Sequence, residues 1–414
     1  MADFGEVLRS IGDFGLFQKI TLFALSFPNF ILPFHFASVL FVESDPERRC
    51  NTDWILSAGP NLTTEEQLNL TLPREEDGSF SKCRMFVPVD WDIDDIRENG
   101  LNETSGCVNG WVYGNMIYKA TIVTDFDLVC ERANFLEVAQ TLFMAGILVG
   151  CLLFGPFAES FGRKRATQIP VVLMVVFCVT TGLCPNFYLY LASQFMAGIG
   201  YGGFRMNGII LATEWIGVSK RSWGACLPQL FAAVGQTVLA GVIYLVRDWR
   251  LAQLLRHVGI LDRFIPESAR WLLNRGRTDE ANQLITKVAN INKRTVPELV
   301  LEKVPHETWG VIILIQSPLL RKYFFTVIFA WFSLNVTYYC LSFNVGKLGL
   351  DVFMTQAMFG LSELPAHIMS IWLLEVLGRK VSFMSTILMG GLMCILLLAV
   401  PQGKTLQMHC KNHM

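Results

Sequence analysis

The chain has 414 residues, of which 52% are hydrophobic and 17% are charged, and its formal net charge is −1. Soluble chains usually carry about 25% charged residues, so much of this surface is expected to face lipid rather than water. The near-zero net charge excludes a broad electrostatic surface for nucleic acid, and the composition excludes a disordered or collagen-like chain.

Eight stretches are long and apolar enough to cross a bilayer as helices, which takes roughly 20 residues each. The first, at 22–42, ends without a small-residue cleavage site, so we expect it to remain as a membrane anchor behind a cytoplasmic N-terminus at 1–21. The other seven are predicted at about 138–157, 166–184, 187–213, 223–246, 323–342, 352–374 and 381–400.

The segment 43–131, between the first two spans, carries 18 acidic and 7 basic residues. It holds glycosylation sequons and cysteines together, which is typical of an extracellular, oxidised and glycosylated loop. The sequons are at Asn61, Asn69 and Asn102, and the cysteines are Cys50, Cys83, Cys107 and Cys130. Two disulfides are expected, and the three ways of pairing four cysteines stay open.

The segment 247–322 has the opposite character, with 13 basic and 8 acidic residues. Basic loops stay on the cytoplasmic side of a membrane, so we expect this segment there. Residues 132–246 then complete an N-terminal bundle, and 323–400 form a partial C-terminal bundle.

A six-residue motif occurs twice, 216 positions apart, each time between two predicted spans. The copies are Glu159-x-x-Gly162-Arg163-Lys164 and Glu375-x-x-Gly378-Arg379-Lys380. Recurrence at matched positions indicates a duplicated helical unit, which is how many secondary transporters are built.

The first copy resembles the signature loop of the major facilitator superfamily, with Glu159 where Asp is usual. The segment 266–273, PESARWLL, is similar to the one that follows the sixth span in organic ion transporters and sugar porters. Glu214 with Arg221, and the segment 248–250, resemble organic ion transporter motifs. Together with the large sequon-bearing loop, these features resemble solute carrier family 22.

Within that family, the segments 11–18 and 349–353 look most like the organic anion transporters that handle urate and nicotinate. The resemblance implies an all-α membrane protein, a helical bundle of the major facilitator type, that carries a small organic anion by alternating access. It implies no enzymatic activity, no cofactor and no metal, and a multi-pass location in the plasma membrane. Organic cation and zwitterion carriers share most of these motifs and remain an alternative.

The bundle is expected to be incomplete, with about eight recognisable spans of the family's twelve. Where the family has a sixth span, the 15 residues 251–265 are too short and carry Arg256 and Asp262. Burying such charges costs about 2.5–3.5 kcal/mol each at a helix centre. One span follows the second motif copy before a divergent tail at 401–414. The rival expectation is therefore a truncated, non-transporting isoform, retained in the endoplasmic reticulum or paired with a full-length carrier or another copy.

Polar groups inside predicted spans are candidates for substrate contact, because they are costly in lipid and usually face a cavity. Arg205, strongly basic and well inside a span, is the candidate for attracting an anion. The full set is Asn29, Arg205, Gln229, Gln236, Trp331, Tyr338, Tyr339 and Phe343. Interhelical hydrogen bonding and packing are the alternative roles.

A second set of residues is expected to act in gating. Glu363 and His367 lie one helical turn apart and are candidates for a titrating or gating pair. The remaining members are the residues of the two motif copies together with Glu214 and Arg221.

Overall fold

The computed structural model describes residues 4–42, 47–114, 120–245, 248–250, 265–295, 316–344 and 352–399. Within its helices, the side chains of residues 34–42, 243, 339–344, 352–353 and 397–399 are outside the described part.

Fourteen α-helices lie in these ranges, and the long ones overlap all eight predicted spans. In chain order they are α1 (Phe4–Ile11), α2 (Leu16–Val42), α3 (Thr64–Thr71), α4 (Ile93–Asn99), α5 (Ile122–Asp125), α6 (Asn134–Phe161), α7 (Arg163–Leu183), α8 (Phe187–Trp215), α9 (Arg221–Leu245), α10 (Ala269–Asn274), α11 (Thr278–Ile291), α12 (Pro318–Asn344), α13 (Val352–Val376) and α14 (Arg379–Ala399). Short 3-10 helices lie at Asp53–Ser57, Cys130–Arg132 and Val218–Lys220. The expected helical bundle is confirmed.

Seven of the described helices are long and apolar enough to cross a membrane, and α8 is not among them. With 29 residues, α8 is long enough to cross a membrane. It packs against both α6 and α7, so much of its surface faces protein instead of lipid. A Cβ atom on Gly150 of α6 would overlap the carbonyl oxygen of Ile199 on α8. Glycine therefore lets these two backbones approach closely, as is common between membrane helices.

Helix α7 has 21 residues and is therefore about 30 Å long, which separates the two ends of the bundle. We call the end with Arg163 the turn end and the end with Leu183 the loop end. Trp215 donates a hydrogen bond of 3.1 Å from Nε1 to the Glu267 carbonyl oxygen at the turn end. Arg250 donates one of 3.0 Å from Nη1 to the Cys184 carbonyl oxygen at the loop end.

Arg250 and Glu267 thus lie at opposite ends of the bundle, although only 16 residues separate them in sequence. The prediction that no sixth span exists falls on residues 251–264, which are outside the described part, and it stays a prediction. The predicted tail at 401–414 is outside it as well.

The turn end carries a hydrophobic core of its own, in which α1, α10 and α11 pack against the ends of α2 and α8. Trp215 and Ile285 are both 1% exposed within it. Asn292, which follows α11, accepts a hydrogen bond from the Phe17 backbone N–H at 2.9 Å and donates one to the Ile11 carbonyl oxygen at 2.9 Å. The N-terminal segment and the segment after residue 265 therefore form one packed unit.

The loop end carries the segment 47–114, which contains two small antiparallel sheets. They pair β1 (Glu47–Cys50) with β4 (Trp111–Gly114), and β2 (Met85–Phe86) with β3 (Thr104–Ser105). The expectation of an all-α protein thus holds for the bundle, whereas this segment has short strands. Its sequon residues Asn61, Asn69 and Asn102 are all exposed.

The disulfides join Cys50 to Cys107 and Cys83 to Cys130, which selects one of the three possible pairings. The second disulfide and a hydrogen bond of 2.9 Å from Tyr113 Oη to Asp127 Oδ1 tie this segment to the residues that precede α6. Burial, and then the hydrogen bond to Asp127, raise the pKa of Tyr113. The phenol therefore stays protonated and keeps this tie across the physiological pH range.

We expect replacement of Cys50 and Cys107 by serine to destabilise the segment 47–114, because the disulfide spans 57 residues. The loop-entropy account gives an upper value of about 4 kcal/mol for a loop of that size. Limited trypsin digestion of intact cells would measure this loss of stability as faster cleavage of the segment. Cys151→Ser, which removes a free thiol, is the control and should digest like the unchanged chain. Equal trypsin resistance of the double variant would contradict this.

Candidate functional site

A cavity of about 420 Å³ lies near the middle of the long helices, between α8 and α9 on one side and α12 and α13 on the other. We call it the central cavity. It is lined by Pro33, Tyr201, Arg205, Gln229, Ala232, Gln236, Trp331, Leu334, Asn335, Tyr338, Glu363, Ala366 and His367. Five of the eight residues predicted to contact substrate are among them.

Arg205 is the cationic residue of this lining. Its guanidinium donates to Tyr201 Oη at 3.0 Å from Nη1 and to Gln229 Oε1 at 3.3 Å from Nη2. These two bonds orient the guanidinium at the cavity wall. Glu363 of α13 lines the same cavity.

The α12 and α13 walls contribute aromatic and acidic groups. Trp331 and Tyr338 are seven residues apart on α12, which places them two turns apart on one helix face. Both side chains line the cavity and are 60% and 46% exposed. Tyr338 Oη is 3.5 Å from Glu363 Oε1, a long hydrogen bond in which the phenol donates.

Gln236 has a positioning contact as well as a place in the lining. Its Nε2 donates to Gln356 Oε1 at 3.0 Å, and Gln356 is 5% exposed. This bond joins α9 to α13, the two long helices that pack across the junction between the halves of the chain. Gln236 therefore helps to fix the separation of the cavity walls.

The other predicted contact residues lie elsewhere. Asn29 is 8% exposed and donates from Nδ2 to the Leu25 carbonyl oxygen at 2.8 Å on its own helix, outside the central cavity lining. Tyr339 and Phe343 belong to α12, but their side chains are outside the described part. Tyr201 and Asn335 line the cavity without having been predicted; Tyr201 sits one helical turn before Arg205, and that spacing was a usable signal.

At the turn end, the first motif copy forms a charged network. Arg163 donates to Glu159 Oε1 at 2.6 Å and to Glu214 Oε1 at 3.3 Å. The Arg163 and Glu214 side chains are only 12% and 14% exposed. Removing Arg163 would leave the largely buried Glu214 carboxylate without this ion pair, which is unfavourable.

Glu267, which the sequence did not single out as a gating residue, holds the motif turn in place. Its Oε1 accepts hydrogen bonds from the backbone N–H groups of Lys164 at 3.0 Å and Ser268 at 2.9 Å. Trp271 donates from Nε1 to the Glu159 carbonyl oxygen at 2.8 Å. The segment 266–273 is therefore a clamp on the turn between α6 and α7.

The second motif copy joins the two halves of the chain. Glu375 accepts hydrogen bonds from Lys220 Nζ at 3.1 Å, from Trp223 Nε1 at 3.1 Å and from Ser222 Oγ at 3.3 Å. These donors lie just before and at the start of α9, so Glu375 joins α9 to α13 at the turn end. Arg221 and Arg379 line a neighbouring cavity, Lys380 is exposed, and Gly378 adopts a positive φ of 78°.

Comparison with known proteins agrees with this geometry. The profile of the "Sugar (and other) transporter" family matches residues 104–410. Human solute carrier family 22 member 13 is 39% identical over 412 residues, which cover 97% of this chain and 75% of that protein. Human member 14 is 34% identical, with coverage of 97% and 69%. The chain belongs to solute carrier family 22. This carrier is also similar to member 6-B of Xenopus laevis, at 30% identity and coverage of 96% and 76%.

The structure of the proton:xylose symporter XylE matches this carrier with a TM-score of 0.51 at 16% identity, covering 87% of this chain and 70% of that one. That likeness shows the major facilitator fold. Family membership makes the chain a multi-pass membrane transporter of organic ions, and not an enzyme.

We expect Gly162→Ala to destabilise the carrier more than Gly378→Ala does. Both glycines have positive φ, 103° and 78°, a strained conformation that costs an L-residue about 1–3 kcal/mol. A Cβ on Gly162 would also collide with Glu267 Oε2, whereas a Cβ on Gly378 meets nothing within 4 Å. The difference in thermal stability is measured by heating each variant in detergent and quantifying the protein that remains folded by size-exclusion chromatography. Equal losses would show that the Glu267 clamp does not constrain the turn.

Lys220→Glu and Glu375→Lys should each slow transport, because each places like charges at the junction that Glu375 closes. The double reversal restores opposite charges, so we expect it to recover most of the uptake lost in either single variant. Uptake per molecule of surface protein measures this cycle. Additive losses in the double variant would contradict a direct pairing of the two side chains.

Proposed function

We propose that this carrier moves small organic anions of the urate and nicotinate kind across the plasma membrane by alternating access. The observation that carries the proposal is Arg205, a guanidinium that lines the central cavity and is held there by hydrogen bonds to Tyr201 and Gln229. The turn end is rich in basic residues and the loop end carries the acidic, sequon-bearing segment, so we infer that the turn end is cytoplasmic.

The chemistry of the central cavity fits a flat, aromatic anion. The guanidinium of Arg205 matches the geometry of a carboxylate or a similar planar anion. Trp331 and Tyr338 offer ring faces, and Gln229 offers an amide for a ring nitrogen or carbonyl group. A volume of about 420 Å³ lies within the range of pockets that bind small molecules.

Alternating access requires that one end of the cavity be closed while the other opens. The contacts of Glu375 with α9 bridge the halves at the turn end. Within the first half, the Glu159–Arg163–Glu214 network holds α6, α7 and α8 together at the same end. We propose that breaking the Glu375 contacts opens the central cavity to the cytoplasm.

A second candidate function is transport of an organic cation or zwitterion. Glu363 supports it, because a carboxylate lines the same cavity as Arg205. A zwitterion would place its anionic group at Arg205 and its cationic group at Glu363. Transport selectivity decides between the candidates.

The test is uptake of radiolabelled urate and nicotinate by cells that express the 414-residue chain, normalised to surface-biotinylated protein. We expect Arg205→Gln to lower uptake efficiency roughly 10- to 100-fold, since a charged hydrogen bond contributes about 1.5–3 kcal/mol. Arg205→Lys keeps the charge but loses the planar fork, so a smaller loss is expected.

Arg321→Gln is the matched control, because Arg321 is an exposed arginine near the start of α12 and outside the central cavity lining. It should leave uptake unchanged. Uptake of tetraethylammonium that is lost in Glu363→Gln and kept in Arg205→Gln would favour the cation carrier. No uptake of any probe by surface-exposed protein would contradict transport by this chain.

A further inference from the structure

A second cavity, of about 930 Å³, lies at the turn end where α2 and α6 meet the packed unit formed with α11. We call it the rim cavity. It is separate from the central cavity and shares no lining residue with it. Its walls come from the start of α2, the turn between α6 and α7, the segment after residue 265, and one face of α11.

The charged side chains in this lining are predominantly basic. Four cationic residues face two carboxylates. Arg277 pairs with Glu280 through bonds of 2.7 and 2.6 Å, and the other carboxylate, Glu267, accepts from backbone N–H groups. Lys164, Arg165 and Lys287 have no acidic partner among the residues that the structure describes. The cavity therefore carries positive charge that its own carboxylates do not neutralise.

One side of the rim cavity is apolar and faces outward. Ile20 and Phe161 line it and are 54% and 53% exposed. They lie on α2 and α6 at the turn end of two helices that are apolar enough to span a membrane. This side therefore lies at the level where these helices leave the hydrocarbon.

We propose that the rim cavity binds the headgroup of an anionic phospholipid of the cytoplasmic leaflet. The phosphate and the further negative charge of the headgroup would lie against Arg165 and Lys287, and the first carbons of an acyl chain against Ile20 and Phe161. Basic pockets between membrane helices on the cytoplasmic side suit such lipids. A free anion would leave the exposed apolar side unused, and a soluble protein would have to bury it within the headgroup layer.

The site would also connect the lipid to the gating network. Lys164 belongs to the turn that Glu267 holds, and both residues line the rim cavity. A bound headgroup would add a negative partner beside this turn and strengthen its attachment to α11. The composition of the leaflet would then bias the turn end toward its closed arrangement.

The experiment titrates the purified full chain in detergent with phosphatidylserine and, separately, with phosphatidylcholine of the same acyl chains, and counts bound lipids by native mass spectrometry. We expect at least fivefold preference for phosphatidylserine. Arg165→Glu combined with Lys287→Glu should reduce retention of phosphatidylserine to the level of phosphatidylcholine. The milder pair Arg165→Gln and Lys287→Gln serves if charge reversal prevents folding.

The control is Lys293→Glu combined with Arg294→Glu, the same charge change on exposed residues just beyond α11 and outside the rim cavity. It should keep the preference. An equal loss in this control would overturn the proposal, because general charge would then explain the retention. Equal retention of both lipids by the unchanged chain would also overturn it. So would complete displacement of phosphatidylserine by millimolar inorganic phosphate, which would indicate a site for a free anion.

Discussion

The close packing of α8 against α6 and α7 is the constraint on which the rest of the structure depends. Glycine at position 150 lets the α6 and α8 backbones touch, and this contact fixes the rotation of α8 within the bundle. The rotation points Arg205 into the central cavity and brings Glu214 to Arg163 at the turn end. Helix α8 thus positions both Arg205, the candidate for substrate binding, and Glu214, a candidate for gating.

The turn end is built as a single unit from segments that are far apart in sequence. Asn292 bonds to Ile11 and Phe17 across more than 270 residues, and Glu267 and Trp271 bind the turn between α6 and α7. Amide and indole groups without partners are costly when buried, so each of these contacts stabilises the unit. Movement of the motif turn therefore involves α10 and α11.

The central cavity combines an arginine and a carboxylate with aromatic walls. Arg205 belongs to the first half of the chain, whereas Glu363 and Tyr338 belong to the second. In the proposed function, a ligand that contacts both walls would stabilise the halves in one relative position. The Gln236–Gln356 bond and the Glu375 contacts connect the same halves at other levels of α9 and α13. In the proposed function, substrate binding and gating would both depend on the relative position of the two halves.

The sequence by itself determined the membrane class, the position of the spans and the family. These depend on long apolar stretches and on motifs contiguous in the chain, such as the two copies of Glu-x-x-Gly-Arg-Lys. These patterns predicted the positions of the long helices and five of the residues that line the central cavity. The short strands did not, because two- and four-residue strands leave little periodic signal.

Only the tertiary structure decided which distant residues meet. In the structure, Cys50 pairs with Cys107, Asn29 lies outside the central cavity lining, and Glu267 holds the first motif turn. The structure also gathers Lys164, Arg165 and Lys287 at one cavity, although Lys287 lies 122 positions after Arg165 in the sequence. The physical reason is that a span records its own hydropathy in its sequence, whereas its rotation and its neighbours are set by packing between helices.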